Sequence, residues 1–351
     1  MSIEFPQRIN IPRQRLENTR SEFLPGVTAV VVTDPTVANE GIGALTRDLL
    51  QLGTKPLRAR QLVLRLEDSL VLFQATNVRV RARTELHSGM LAYVVFGPWA
   101  RGSVNGLPIW PNLMLAVESG IQVEFIAEAG YESVTVLLSP AVFASHLAGR
   151  QRKGNLCTPH GIEVLHTEEV YARGLFDLGK HLANIAASHS ELFKNRKESI
   201  LTAQDELLEM LLAALEATTV PKLNFRDHTR QGYSRVVKLA ENYALAHLGN
   251  RFYVKDLCVA TGVRERTLEY VFQQVMGMSP VAYLTRLRLH RVRQALRMAA
   301  HGSTTVSTQA LSWGFSHFGD FARAYKDCFG ELPSETLRRK PAETSGNPKT
   351  I

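Results

Sequence analysis

The sequence predicts an α+β chain: an N-terminal cupin-like β-barrel with accompanying helices, then an all-α domain of seven helices holding two helix-turn-helix units. Three observations lead there. Apolar residues alternate with polar ones, period two, through residues 57–138. From Pro140 the apolar spacing changes to three and four, the mark of helices. The last third holds two units of short helix, turn and second helix, joined by one long helical stretch. At 351 residues the chain is long enough for two domains with separate cores.

The elements follow in order. Residues 1–25 are polar and irregular and read as an arm, and residues 36–53 are mixed and read as one short helix. Residues 61–66 alternate strictly, 70–74 and 78–81 continue the period, and 90–96, 113–118, 121–126 and 134–138 are β-rich. Turn pairs separate these runs at 97–98, 105–106, 119–120 and 129–130, and Asn105-Gly106 suits a two-residue hairpin. About eight short strands at this spacing make a sandwich or barrel, placed at 57–140 with its helices at 140–217. A short helix is expected at 143–147 and a longer one at 170–186, where Leu175, Phe176, Leu178, Leu182 and Ile185 share a face. A third, over 200–215, carries Leu201, Leu208, Leu211, Leu212 and Leu215 as one apolar stripe. The stripe either packs on its own barrel or forms a symmetric helix pair; a homodimer is expected through it.

An effector-binding or dimerisation domain is thus placed at 1–218, a Pro221-containing linker at 219–230, a DNA-binding domain at 231–340 and a disordered tail at 341–351. The first helix-turn-helix spans about 254–276: Val254, Leu257 and Cys258, a turn at Thr261-Gly262, then Leu268, Phe272 and Val275, stopped by Gly277. Ser279-Pro280 is a cap and first-turn pair for a helix running to about Ala300. The second unit spans about 306–329. There Gly314-Phe315 turns, Ser316 is placed as N-cap, and Phe321, Tyr325 and Phe329 recur four apart on a buried face. Twenty helical residues span ~30 Å, close to the ~34 Å of one DNA turn, so both units reach successive major grooves.

Charge separates the halves. From Lys222 onward there are 20 Lys+Arg and 10 Asp+Glu, against 21 and 23 before it. A basic module beside a near-neutral one is the footprint of a nucleic-acid reader with a separate sensor. Cys157, Cys258 and Cys328 form no paired motif and read as small hydrophobes in a reducing cytoplasm. The N-terminus has no signal-peptide pattern and no apolar run approaches the ~20 residues of a membrane span, so a cytoplasmic protein with no membrane contact is expected. His87 is the one histidine of the barrel segment, so neither metal nor other cofactor is expected. Trp99, Trp110 and Phe96 could line a ligand pocket or simply be core, and no effector-binding residue is assigned.

Two helix-turn-helix units in one basic C-terminal domain, with Leu257, Gly262, Leu268, Phe272 and Gly277 in the first, Tyr283-Leu284 and Arg286-Leu287-Arg288-Leu289 between, and Gly314-Phe315, Phe321, Tyr325, Gly330 and Pro333 in the second, resemble the AraC/XylS family of bacterial transcription regulators. The likeness covers about residues 230–340 and looks most like the branch with the ethanolamine-utilisation regulator. It implies a sequence-specific activator that binds double-stranded DNA, contacts RNA polymerase and answers to a small-molecule effector held in a cupin-like barrel. It also implies that the chain is no enzyme. Some DNA-repair alkyltransferases share the module but need an activated, metal-bound cysteine, and only Cys157 precedes the module here. An effector-independent DNA-bending protein is the other alternative.

The DNA-binding residues follow from helix faces. On the first reading helix these are Arg264, Arg266, Glu269, Tyr270 and Gln273, with Arg266 the choice for bidentate guanine contact. Arg264 stands where the family usually has a capping Ser or Thr. Arg286, Arg291, Arg293 and Arg297 on the long helix are candidates for phosphate contact, with solvated or intramolecular pairs as the alternative for some of them, and Arg286 and Arg291 are chosen as the DNA contacts. On the second reading helix the candidates are Ser316, His317, Phe318, Gly319, Arg323 and Lys326.

Overall fold

The computed structural model describes residues 26–35, 42–87, 89–149, 158–188, 197–221, 223–247, 253–300 and 302–339. The expected arm, the tail and Cys157 lie outside the described residues.

The N-terminal part is two facing antiparallel sheets. The first has the order β1 (Gly26–Val32), β3 (Ala59–Arg65), β4 (Ser69–Thr76), β11 (Glu132–Leu138), β6 (Leu91–Phe96), β9 (Leu113–Val117) and β12 (Ile162–His166). The second has the order β2 (Leu45–Gln51), β5 (Val80–Leu86), β10 (Gln122–Ala127), β7 (Gly102–Val104) and β8 (Leu107–Pro108). The expected barrel is not closed: among the described residues no strand ladder joins the edges of one sheet to those of the other. The Asn105-Gly106 hairpin is formed as read, with φ of 46° and 85° between β7 and β8.

The sandwich is wider than the sequence suggested. Residues 36–53 contain strand β2 instead of a short helix, and β1 and β12 extend the sheets to residues 26 and 166. β2 escaped notice because Arg47 and Asp48 interrupt its apolar alternation, LTRDLLQ. One lines a cavity and the other, with its side chain still 37% exposed, meets the C-terminal domain.

Period two sorts the first sheet between two cores. Leu62, Leu64, Val71 and Phe73 point outward, beneath helices α1 (Pro140–Gly149), α2 (Glu169–Ser188) and α3 (Lys197–Glu216). Val63, Leu70 and Leu72 point into the sandwich. The leucine stripe of α3 is used up here. Leu207, Leu208, Leu211, Leu212 and Leu215 are buried against α2 and the sheet, and only Leu201 stays 37% exposed. This corrects the expected dimer contact: a sheet apolar on both faces needs a helical cover, and α3 supplies it in the same chain.

Ten helices are described: three flank the sheets and seven follow the connector. These are α4 (Phe225–Ala246), α5 (Val254–Thr261), α6 (Glu265–Met276), α7 (Pro280–Met298), α8 (Val306–Ser312), α9 (Phe318–Phe329) and α10 (Pro333–Arg338). The linker is shorter than expected because α4 starts at Phe225, where Asn224 accepts from the Arg226 and Asp227 amides in a capping box. The molecule is therefore layered: helices, seven-stranded sheet, five-stranded sheet, helical C-terminal domain.

Candidate nucleic-acid interface

Each helix-turn-helix is fixed by its own small core. In the first, Leu257, Leu268, Val271, Phe272 and Met276 are buried with Val237 and Ala240 of α4 and Tyr283 of α7. Gly262 and Gly277 end α5 and α6 at φ 71°, the left-handed conformation glycine adopts without strain. In the second, Phe321, Tyr325 and Cys328 are buried with Leu289, Val292 and Leu296 of α7. Phe315, Phe321, Tyr325 and Phe329 form a chain of ring contacts, with centroids 4.9, 5.7 and 4.7 Å apart. Tyr325 donates to Thr336 at 2.8 Å, closing α10 onto α9. α7 contributes to both cores, so its length and rotation set the separation of the two reading helices.

The outward faces carry the expected residues. Arg264, Arg266, Glu269, Tyr270 and Gln273 are exposed on and before α6, and Ser316, His317, Phe318, Gly319, Arg323 and Lys326 on and before α9. Tyr270 stands edge-on to Tyr233 at 5.8 Å, which orients its ring. Arg264 is the N-cap of α6 without a side-chain cap bond. The second cap departs from expectation: α9 starts at Phe318, so His317, not Ser316, is its N-cap, and no side chain caps it. Gln309, the polar residue inside the second unit, donates to Thr304 at 3.0 Å and so is satisfied.

Of the two readings of the α7 arginines, the intramolecular one describes this arrangement. Arg291 is held by Asp48 of β2 at 2.9 Å, and Arg286 donates to the Leu52 and Gly53 carbonyls just beyond that strand. Arg293 is buried between Asp34 and Glu331, each at 2.8 Å, with its guanidinium over the Phe329 ring; Arg297 also meets Asp34. In this arrangement these four serve the junction between the two halves. A helical pattern cannot tell an arginine facing phosphate from one facing an acid of a distant strand.

That junction is a seam of buried charge. Arg81 and Arg83 of β5 and Glu124 of β10 project from the outer face of the second sheet, while Glu241 of α4 projects toward them. Glu241, fully buried, pairs with Arg81, takes Arg83 at 2.9 Å and accepts from the Tyr283 hydroxyl at 2.9 Å. Burial alone would weaken the charge of Arg81, but Tyr283, Glu241, Asp48 and Glu124 outweigh it and raise its pKa. Burial would likewise raise Asp48, yet Arg291 and Arg81 hold it below the usual carboxylate value. Ser234 of α4 donates to Glu124 at 3.1 Å. Arg79 donates to the Val275 and Met276 carbonyls at 2.9 Å each, capping the C-terminal end of the first reading helix where its dipole is negative. Leu50, Leu52 and Ile126 fill the apolar middle against α4 and α7. Gly106 lets the β7–β8 hairpin touch α4: a Cβ there would fall 2.5 Å from the Arg230 carbonyl oxygen.

The opposite face of the same sheet bounds a cavity of about 100 Å³, lined by Arg47, Leu49, Ala82, Thr84 and Phe125 among others. The aromatics singled out as possible lining lie elsewhere: Trp99 is 82% exposed, Trp110 donates to His166 at 2.6 Å, and Phe96 packs on Tyr131. Arg47 was missed. Its signal was a cation at an inward position between Leu45 and Leu49. Among the described residues no cluster of three or more His, Cys, Asp or Glu could hold a metal, and no helix is long and apolar enough to cross a membrane.

Residues 257–339 match the family profile of a helix-turn-helix domain. A probable thc operon regulatory protein of Rhodococcus erythropolis is 38% identical over 106 residues, covering 30% of this chain and 32% of that protein. The XylDLEGF operon transcriptional activator of Pseudomonas putida is 29% identical over 140 residues, 40% of each chain. By its C-terminal domain, the chain belongs to the AraC/XylS family. A solved structure of a probable AraC family transcriptional regulator from Rhodopseudomonas palustris CGA009 is 41% identical, covering 30% of this chain and 96% of that one, with a TM-score of 0.28. The chain thus spans about a third of the Rhodococcus protein's length and 40% of the Pseudomonas activator's. None of these likenesses points to the ethanolamine-utilisation branch.

Proposed function

We propose that this AraC/XylS chain is a transcription activator whose hold on promoter DNA is set by a small molecule bound between its N-terminal sheets, and that on DNA it contacts RNA polymerase. One observation carries the regulatory part: the five-stranded sheet is the shared wall between cavity and seam. Along β2, Arg47 and Leu49 face the cavity while Asp48 and Leu50 face the helical domain. Along β5, Ala82 and Thr84 face inward while Arg81 and Arg83 face Glu241. A ligand that shifts β2 therefore acts directly on the acid that holds Arg291. Such control requires that the ligand favour one arrangement of the halves over the other.

In the docked arrangement Asp48 and Asp34 occupy arginines that could otherwise meet phosphates. The exposed reading faces supply base contacts, with Arg266, Glu269 and Gln273 on α6 and His317 and Arg323 around α9 as the readers. Mapping of bound sites across the genome gives the operator. On that operator, Asp48→Ala should raise affinity severalfold and steepen the salt dependence by about one unit, because Arg291 becomes free to displace a counterion. An unchanged salt slope, measured by fluorescence anisotropy, would show that the seam does not withhold Arg291. A reporter fused to the mapped promoter that falls silent when the protein is present would replace activation by repression.

A further inference from the structure

The two reading helices differ in what they offer to DNA. On α6 the outward residues Arg266, Glu269 and Gln273 all end in hydrogen-bonding groups. On α9 the outward face opens with Phe318 and Gly319, continues one turn on with half-buried Ala322, and only then reaches Arg323 and Lys326. Among the described residues, Tyr270 and Phe318 are the large apolar side chains left exposed on these helices, at 52% and 44%. Tyr270 carries a hydroxyl and stands edge-on to Tyr233 of α4 at 5.8 Å. Phe318 stands outside the chain of rings that runs from Phe315 through Phe321 and Tyr325 to Phe329. It opens the first turn of α9, directly after the N-cap His317. Beside it Gly319 leaves the helix surface bare: a Cβ there would meet nothing within 4 Å. The first turn of α9 can therefore press close to a groove floor with a phenyl ring at its tip.

The chemistry of the major groove limits what such a tip can read. A phenyl ring makes no conventional hydrogen bond, so the donor and acceptor pattern of the bases is closed to it. The apolar group on those edges is the C5 methyl of thymine. Against any other base edge the ring would displace water from polar groups and return no bond for it. Adjacent bases on a strand rise ~3.4 Å, so one ring can cover the methyls of two neighbouring thymines. Arg323 and Lys326, one to two turns further on, supply charge for the flanking phosphates. We propose that Phe318 makes the second helix-turn-helix a reader of thymine methyls, so that the operator carries one or two thymines about 10 bp from the base pairs read through Arg266. The assignment deepens the proposed DNA reading and rests on α9 lying in the major groove.

Binding of the full-length chain to the mapped operator, with each thymine replaced in turn by deoxyuridine, tests it by fluorescence anisotropy. The replacement removes a methyl group and keeps every hydrogen bond of the base pair. At one or two positions in the second half-site the affinity should fall about fourfold each, the ~0.8 kcal/mol of one buried methylene at 1.4 kcal/mol per tenfold. Phe318→Ala should bind the thymine and deoxyuridine duplexes equally, and Phe318→Leu, still apolar, should keep part of the difference. A merely structural role would lower affinity for both duplexes alike. Should Phe318→Ala lose its helical circular-dichroism signal, Phe318→Gln takes its place in the comparison. Operator binding that no deoxyuridine weakens, or a loss that persists unchanged in the variant, overturns the assignment and leaves DNA reading standing. A loss confined to the half-site read through Arg266 also overturns it and points to Tyr270 instead. If the chain does not prefer the mapped operator to a scrambled duplex, the DNA reading itself fails, and this assignment with it.

Discussion

Arg47 and Asp48 are neighbours on one strand and face opposite ways, Arg47 into the cavity between the sheets and Asp48 onto Arg291 of the long helix at 2.9 Å. A single peptide bond therefore separates a group that can touch a ligand from one that holds the DNA-binding domain. Alternation of side chains across a strand makes this possible with no longer relay. Displacement of the Arg47 backbone by a fraction of an ångström carries Asp48 with it.

The seam beneath is held most firmly at Glu241. Replacing it with Gln removes the charge that meets Arg81 and Arg83 and keeps the shape. Two buried guanidiniums then lose their shared partner, a loss of about 3–5 kcal/mol. Urea unfolding followed by tryptophan fluorescence should show the midpoint drop. The helical domain should also become more open to protease at the 217–224 connector. An unchanged midpoint would mean that water already solvates this network.

Arg266→Ala should relax selectivity and leave the fold intact, because the side chain is exposed at the start of α6. The expected cost on the best site is about 1–3 kcal/mol, concentrated at one or two base pairs. Selection from a randomised operator library reads this directly. A uniform loss over all sequences would reassign Arg266 to a phosphate.

Phe321→Ala should loosen the second unit specifically. Phe321 is 2% exposed and lies between Phe315 and Tyr325. Truncating a buried Phe costs about 3–5 kcal/mol. Amide exchange should quicken in α8 to α10 and stay slow in α5 and α6, whose core is separate. Equal loss in both units would show that α7 couples them into one cooperative block.

His290 gives the helical domain an acid sensitivity. Burial first, then Arg286 and Arg293, push its pKa from 6.5 down to about 3. Neither ring nitrogen has a hydrogen-bond partner among the described residues, and Phe329 stands edge-on at 4.9 Å. The unfolded chain takes up this proton near pH 6.5 while the folded one resists it. The stabilisation is therefore complete above pH 6.5 and is lost as pH falls from there toward 3. At pH 5 the deficit is roughly 2 kcal/mol, at 1.36 kcal/mol per unit. His290→Leu should flatten the fall in Tm between pH 7 and pH 5. A variant with the same pH dependence as the original would place the sensitivity elsewhere.

Local periodicity and turn chemistry were enough for much of the helical domain. Gly262, Gly277, Gly314 and Gly330 fixed the turns of both helix-turn-helix units, and the Phe321–Tyr325–Phe329 spacing fixed a buried face. Family membership was legible from the same residues, since recognition helices are set by contacts only a few turns apart in the chain. The exposed readers followed from the helix faces left over. Strand β2 was not legible, because Arg47 and Asp48 look like a solvated break in an apolar run. Nor were the roles of Arg286 and Arg291, whose partners Leu52, Gly53 and Asp48 lie more than 230 residues away in the chain. The α3 leucine stripe had to be covered, but only the folded sheet decided that the cover came from the same chain. Burial of charge decided the rest: whether an arginine meets water, phosphate, a ligand or a carboxylate depends on what the tertiary structure brings opposite it.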